Sequence, residues 1–314
     1  MSRVLLASPR GYCAGVERAV ETVERTLELY GAPVYVRKQI VHNAHVVREL
    51  EQRGAVFVDS VADVPEGATL VFSAHGVSPS VRDAADARGL TTLDATCPLV
   101  TKVHTQARRF ADRGYTIVLV GHAGHEEVEG TMGEAPDAIV LVESVADAEA
   151  IELPLDGPLA YVTQTTLSVD ETREIIAVLR RRFPAIEGPA TEDICYATSN
   201  RQWAVKELLG DVDVLLVIGS TNSSNSQRLV DVALAAGVPA HLIDDESEID
   251  ERWLDGATVA GVTSGASAPE TLVRRVCAWF TAHGVDDISE YRSVYEDVAF
   301  RLPVELRRTE RPAA

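Results

Sequence analysis

The feature that most constrains this chain is a cysteine that stands at the head of a helix three times over. Cys13 lies between an apolar run, Val4–Ala7, and a stretch in which Val16, Val20, Val23 and Leu27 recur at helical spacing before Gly31. Cys97 follows "TTLDAT" and precedes Pro98, a residue suited to the first helical position, with Leu99, Val100, Val103, Ala107 and Phe110 at helical spacing after it. Cys195 follows "TEDI" and precedes a helical pattern through Ala204, Val205, Leu208 and Leu209 that Gly210 stops. One such cysteine is packing; three in the same context are a repeat.

The repeat continues downstream. His42 lies 29 residues after Cys13, His125 lies 28 after Cys97, and Ser223 lies 28 after Cys195. Each follows a β-type run ("PVYVRKQIV", "YTIVLV", "DVLLVIG") and precedes a helix. A third strand, polar turn and helix follow in "VFSAHGVSPSVRD", "AYVTQTTLSVDET" and "AGVTSGASAPETL", where His75, Thr165 and Gly265 are equivalent. The period is about 85 to 100 residues. Alternating strands and helices predict small parallel α/β lobes with right-handed crossovers. The expected division is residues 1–96, 97–194 and 195–290, with a polar C-terminal tail over 291–314. In such lobes polar loops gather at the C-terminal strand ends, where ligands bind. Three equivalent lobes would set three cysteines around a common centre.

The composition bounds what that centre serves. At 314 residues, 46% hydrophobic and 25% charged, the chain is ordinary globular material. Its formal charge of −19 disfavours nucleic acid and anionic membranes, although a prepared pocket can still take an anionic small ligand. No apolar run approaches a membrane span, and the four-residue apolar stretch near the N-terminus is too short for a signal peptide. The expectation is a cytoplasmic protein with cysteines as thiols or metal ligands rather than disulfides.

Thiolates at helix N-termini are strong ligands for zinc and for iron–sulfur clusters. Three ligands leave one position open, either on a zinc ion or on one iron of a four-iron cluster, which is a catalytic arrangement. The residues alone leave both metals open. Cys277, in "ETLVRRVCAWF", shares a face with Leu272, Val273, Val276 and Phe280 and reads as a core thiol. "SSNS" at 223–226 serves as a helix cap, but four small polar residues at a helix N-terminus also suit a phosphate. His42, His75 and His125, at matched positions, read as phosphate donors or proton relays. His122 is placed to shape its turn, and His45 and His104, inside helices, read as ordinary surface residues. "HEEVEG" offers Glu126, Glu127 and Glu129 for proton delivery, and at least one of them should be a solvated surface charge.

"SPRGYCAGVERAV", "HNAHVV", "FSAHGVSP", "DATCPLVTKVH", "GHAGHEEVEGTMGE", "TQTTLSVDET", "DICYATSNRQ", "GSTNSSNSQRL" and "GASAPE" resemble, in order, the motif series of the 4-hydroxy-3-methylbut-2-enyl diphosphate reductase family. The match runs from about residue 3 to 280 and leaves out the tail ending "RRTERPAA". The resemblance implies a trefoil of three lobes around a central 4Fe-4S cluster. It implies Cys13, Cys97 and Cys195 as cluster ligands, and His42, His75, His125, Ser223, Ser224, Asn225 and Ser267 as diphosphate-binding groups. Glu127 matches the proton-delivery carboxylate and Thr165 its hydroxyl partner, while Glu126 fills the variable position of "HxE".

The implied reaction is a reductive dehydration, the last step of the non-mevalonate isoprenoid pathway. The substrate's allylic hydroxyl binds the open iron, and two electrons and two protons remove it as water, giving isopentenyl or dimethylallyl diphosphate. The implied electron donor is reduced ferredoxin or flavodoxin, for which "RRR" at 180–182 and "RR" at 274–275 are candidate docks, though solvated helix faces are the simpler reading. With few Lys or Arg in these motifs, substrate affinity is expected to follow histidine protonation between about pH 6 and 8.5. Two other readings stand beside this one. A zinc-dependent hydrolase of a phosphorylated metabolite would need no reductant, and an iron–sulfur sensor would not need "SSNS" and three histidines.

Overall fold

The structure is a computed structural model that describes residues 1–154 and 157–307. The chain forms two compact units. One comprises residues 1–16, 42–47 and 196–299, the other residues 17–41, 48–195 and, among the described residues, 300–307. All three sheets are parallel, as the strand–helix alternation predicts.

The first unit holds a five-stranded sheet in the order Ala240–Ile243, Val214–Ile218, Val259–Ser264, Arg3–Ser8, Asp287–Arg292. Every residue of Val214–Ile218 is buried, because a parallel strand with helices on both faces has no solvent side. Its alternate residues serve opposite cores. Val214, Leu216 and Ile218 pack with Leu272, Val273, Val276 and Phe280 of helix Glu270–Ala282. Leu215 and Val217 pack with Ala204, Val205 and Leu208 of helix Tyr196–Leu208 and Leu229 of helix Ser224–Ala235. Cys277 lies partly buried against the first of these cores.

The second unit holds a four-stranded sheet, Ala55–Val58, Val34–Arg37, Thr69–Phe72, Thr91–Asp94, and a three-stranded sheet, Ile139–Val142, Thr116–Val120, Leu159–Thr163. Helix Pro98–Ala111 lays Val103, Ala107 and Phe110 on Ile117 and Leu119 of the three-stranded sheet. Among the described residues no helix is long and apolar enough to cross a membrane.

The three sheets share one strand order, and Arg3–Ser8 is the strand that pairs outside its own repeat. Arg3–Ser8, assigned by the repeat to residues 1–96, pairs with Val259–Ser264 and Asp287–Arg292 instead. Thr91–Asp94, which leads into Cys97, lies beside Thr69–Phe72, and Glu187, ahead of Cys195, bridges to Ala160, both within their own repeats. Each segment that runs toward a cysteine thus borders the third strand of a repeat. The physical reason is edge coverage: a buried strand such as Val4–Ala7 needs partners on both sides. The tail expected over 291–314 begins inside the strand Asp287–Arg292, and residues 308–314 lie outside the described residues.

Candidate active site

In the unit containing residues 48–195, three turns at C-terminal strand ends carry His75, His125 and Thr165. His125 caps helix Glu126–Met132: its Nδ1 accepts the Glu127 backbone N–H at 3.1 Å. That bond leaves the ring proton on Nε2. Burial, then the neighbouring His75 and His122, lower the His125 pKa to about 3, so the imidazole is neutral at pH 7. The rings of His75 and His125 meet edge to face with centroids 5.8 Å apart. His75 Nδ1 lies 3.0 Å from Glu126 Oε2.

Glu127 is 2% exposed. Its Oε1 accepts the Thr165 backbone N–H at 2.6 Å, and its Oε2 lies 3.1 Å from the Thr165 hydroxyl. Burial raises the Glu127 pKa, more than the Thr165 bonds and the nearby His75 and His104 lower it. Glu129 is exposed and is the solvated charge expected of this motif. His122 shapes the turn through its carbonyl, which accepts the His125 N–H at 3.2 Å, while its own N–H is held by Gln164 Oε1.

In the other unit, Ser223 caps helix Ser224–Ala235, accepting from the Ser226 N–H at 3.3 Å and the Ser226 hydroxyl at 3.0 Å. The capping reading of Ser223 therefore holds, and Ser226 is committed to packing. A Cβ at Gly219 or Gly265 would meet Ser226 Oγ at 2.1 or 2.0 Å, so both strand ends require glycine. Asn225 is 5% exposed; its Oδ1 accepts the Ala266 N–H at 2.8 Å and its Nδ2 donates to Thr198 Oγ1 at 3.1 Å. The Ser267 hydroxyl donates to the His42 carbonyl at 2.8 Å, and His42 Nδ1 lies 3.3 Å from Asn222 Nδ2.

The three cysteines share one backbone support. The N–H of Cys13 is bonded to the carbonyl of Ala266, that of Cys97 to Ala74 and that of Cys195 to Thr165, at 3.2, 2.9 and 3.1 Å. These carbonyls sit in the turns carrying Ser267, His75 and Thr165. Each cysteine immediately precedes or caps a helix: Ala14–Tyr30, Pro98–Ala111 and Tyr196–Leu208. None is in a disulfide, and all three are half-buried. Soft sulfur donors at helix N-termini, with their peptide groups held, fit the iron–sulfur cluster that the family resemblance implies.

Several residues carry more than the sequence suggested. Glu126, taken as variable, binds His75. His104 is 3% exposed rather than superficial, with Nδ1 2.8 Å from Glu134 Oε1, and His45 is paired with Asp245 at 3.0 Å. Tyr196 accepts the Ala14 N–H at 3.2 Å, and burial pushes its hydroxyl to about 12. Only the acidic first turn of Glu126–Met132 hinted at any of these. The basic clusters are largely spent within the chain: Arg180 on Tyr161, Arg181 on Glu149, Arg182 on the Ala148 carbonyl and Arg275 on Glu246.

Fold and site together define an α/β protein whose thiols, imidazoles, hydroxyls and one buried carboxyl stand at the C-terminal ends of parallel strands. The model of the family described as LytB protein matches residues 4–281. The chain belongs to the LytB family. A relative in Acidothermus cellulolyticus, 4-hydroxy-3-methylbut-2-enyl diphosphate reductase, is 60% identical over 307 residues, covering 98% of this chain and 90% of the relative. A relative of the same name in Nocardia farcinica is 57% identical over 310 residues, covering 98% and 92%. The solved structure of the E-1-hydroxy-2-methyl-but-2-enyl-4-diphosphate reductase from Plasmodium falciparum is similar at a TM-score of 0.96, with 39% identity and 98% of each chain covered.

Proposed function

We propose that this chain reductively dehydrates 4-hydroxy-3-methylbut-2-enyl diphosphate to isopentenyl and dimethylallyl diphosphate, using a 4Fe-4S cluster. The observation that carries the reading is the near full-length match, at 60% identity, to a relative named for this reductase. The geometry supports it at the proton-delivering end. Cys13, Cys97 and Cys195 would hold the cluster, which when bound supplies electrons and a Lewis-acidic iron to the hydroxyl being removed.

The chain's own residues then do three things. Glu127, whose protonated form burial favours, carries the proton. Its Oε1 is occupied by the Thr165 N–H, so the acid proton sits on Oε2, facing the Thr165 hydroxyl 3.1 Å away. Passing that proton to Thr165 Oγ while Thr165 releases its own to the departing oxygen moves one proton without exposing the carboxyl to water. Neutral His125 offers Nε2–H as a donor to the diphosphate, with His42, His75, Ser223, Ser224, Asn225 and Ser267 as further binding groups. His125 stays neutral from pH 6 to 8.5, so it contributes none of the pH dependence of affinity expected over that range.

The electron source is proposed to be reduced ferredoxin or flavodoxin, and the location the cytoplasm. The test is anaerobic purification with iron and sulfide analysis and turnover under a strong chemical reductant. About four irons with matching sulfide, and both five-carbon diphosphates, are expected. Zinc without sulfide, and no turnover after cluster reconstitution, would replace this reading with the zinc hydrolase.

A further inference from the structure

The most buried cation among the described residues, Arg201, is 0% exposed and belongs to no step above. Its guanidinium joins three segments of one unit. One terminal nitrogen donates to the carbonyl of Gly11 at 2.8 Å. The other donates to the Ala197 carbonyl at 3.0 Å and lies 3.2 and 3.3 Å from the two carboxylate oxygens of Glu296. Asn200 Nδ2 donates to Glu296 Oε1 at 3.0 Å and so orients the same carboxylate. Gly11 is held at its other side as well, where its N–H donates to Ser264 Oγ at 2.8 Å. Its φ of +70° is a conformation that glycine adopts readily.

The segment that brings Glu296 here follows directly from the sheet. Strand Asp287–Arg292 pairs along the whole of Arg3–Ser8, and Ser293 then closes on the Ser8 carbonyl through its N–H and hydroxyl at 3.0 and 3.1 Å. Both Asp287–Arg292 and Glu296 lie beyond the residues matched by the family model. The strap thus grips the chain just before Cys13 at Ser8, and again at Gly11 through Arg201.

We propose that Glu296 is a positioning residue for Cys13. It neutralises Arg201, and Arg201 fixes the peptide two residues ahead of the cysteine. This inference rests on the reading of Cys13 as a cluster ligand. A buried guanidinium deprived of its carboxylate turns toward other acceptors, and the Gly11 carbonyl is then released.

The test uses the full chain in its cluster-free form. Iodoacetamide alkylation is followed at Cys13, Cys97 and Cys195 by peptide mapping, each rate taken as a ratio to that in denatured protein. Wild type, Glu296→Gln and Glu296→Asp are compared well below their melting temperatures. Glu296→Gln should raise the Cys13 ratio about tenfold, the size of one lost charge-assisted hydrogen bond, and leave Cys97 and Cys195 within about twofold. Glu296→Asp should stay near wild type. A parallel rise at all three cysteines, or no change at Cys13, overturns the proposal. Should Glu296→Gln fail to fold, Asn200→Ala, which frees the carboxylate on one side only, is expected to give the same selectivity at smaller size.

After reconstitution, cluster absorbance should bleach faster in chelator for Glu296→Gln than for wild type, and equal bleaching also counts against it. A wild-type protein that takes up no iron and sulfide would instead refute the cluster reading.

Discussion

The carboxyl of Glu127 is clasped by a single residue, Thr165, whose N–H reaches Oε1 at 2.6 Å and whose hydroxyl lies 3.1 Å from Oε2. With Glu127 almost wholly buried, desolvation favours its protonated form against the pull of these bonds, and the Thr165 hydroxyl is the group its Oε2 faces. Glu127→Gln is expected to lower kcat by about 10²- to 10⁴-fold while substrate affinity and cluster content hold, as steady-state kinetics and iron analysis would show. Stability carries a second signature. A carboxyl whose folded pKa is raised makes the wild type lose stability as pH climbs above the ordinary glutamate value, until the folded pKa is passed. Glu127→Gln should abolish that decline in urea unfolding measured across pH.

His125 has the opposite sign. Its pKa of about 3 means that the unfolded chain binds a proton that the folded chain refuses, so stability drops as pH falls below the ordinary histidine value of about 6.5. His125→Asn, which keeps a side-chain acceptor for the Glu127 N–H, should remove about 2 kcal/mol of the loss between pH 6.5 and pH 5. Parallel stability curves for variant and wild type would refute this. Diphosphate affinity should weaken in the same variant.

Asn225 spends its amide on Ala266 and Thr198, which fixes the direction in which each end points. Asn225→Asp keeps the acceptor for the Ala266 N–H and sets a carboxylate among the proposed diphosphate donors. The inhibition constant of inorganic pyrophosphate should rise by at least about tenfold. An unchanged constant would remove Asn225 from the binding group.

Glu134 is half-buried with a histidine on one oxygen and an arginine on the other: His104 Nδ1 and Arg108 Nη1, each at 2.8 Å. Burial pushes its pKa up, but His104 and Arg108 together hold it below the usual glutamate range. Its contribution is therefore present above the unfolded value and lost as pH falls through the folded one. Glu134→Gln should lower stability near pH 7, and the gap to wild type should narrow as pH falls below the ordinary glutamate value of about 4.3. A constant gap over that range would show that charge is not what the pair supplies.

Much of this site is legible in the chain because it rests on local patterns. A cysteine before a helical run, a polar turn after an apolar run and a fixed offset between them need only the periods of strand and helix. By those periods alone the three cysteines, the equivalent turns at His75, Thr165 and Gly265, and the Ser223 cap were readable.

Which strand borders which was not readable. Val4–Ala7 looks the same whether it pairs with residues 34–37 or with 259–264, since backbone hydrogen bonding carries no sequence code. Only the assembled sheet set Arg3–Ser8 beside Val259–Ser264 and hung each cysteine from the turn of the preceding repeat.

Burial too was decided in three dimensions. His104 and Glu127 sit on helices among polar neighbours, and nothing in their local pattern separates them from the exposed Glu129. The sequence by itself determined which chemical groups the strand ends carry. The tertiary structure decided which of them lose water, and with it which carboxyl is pushed toward its neutral form and which imidazole is uncharged, because desolvation depends on what the rest of the chain packs around them.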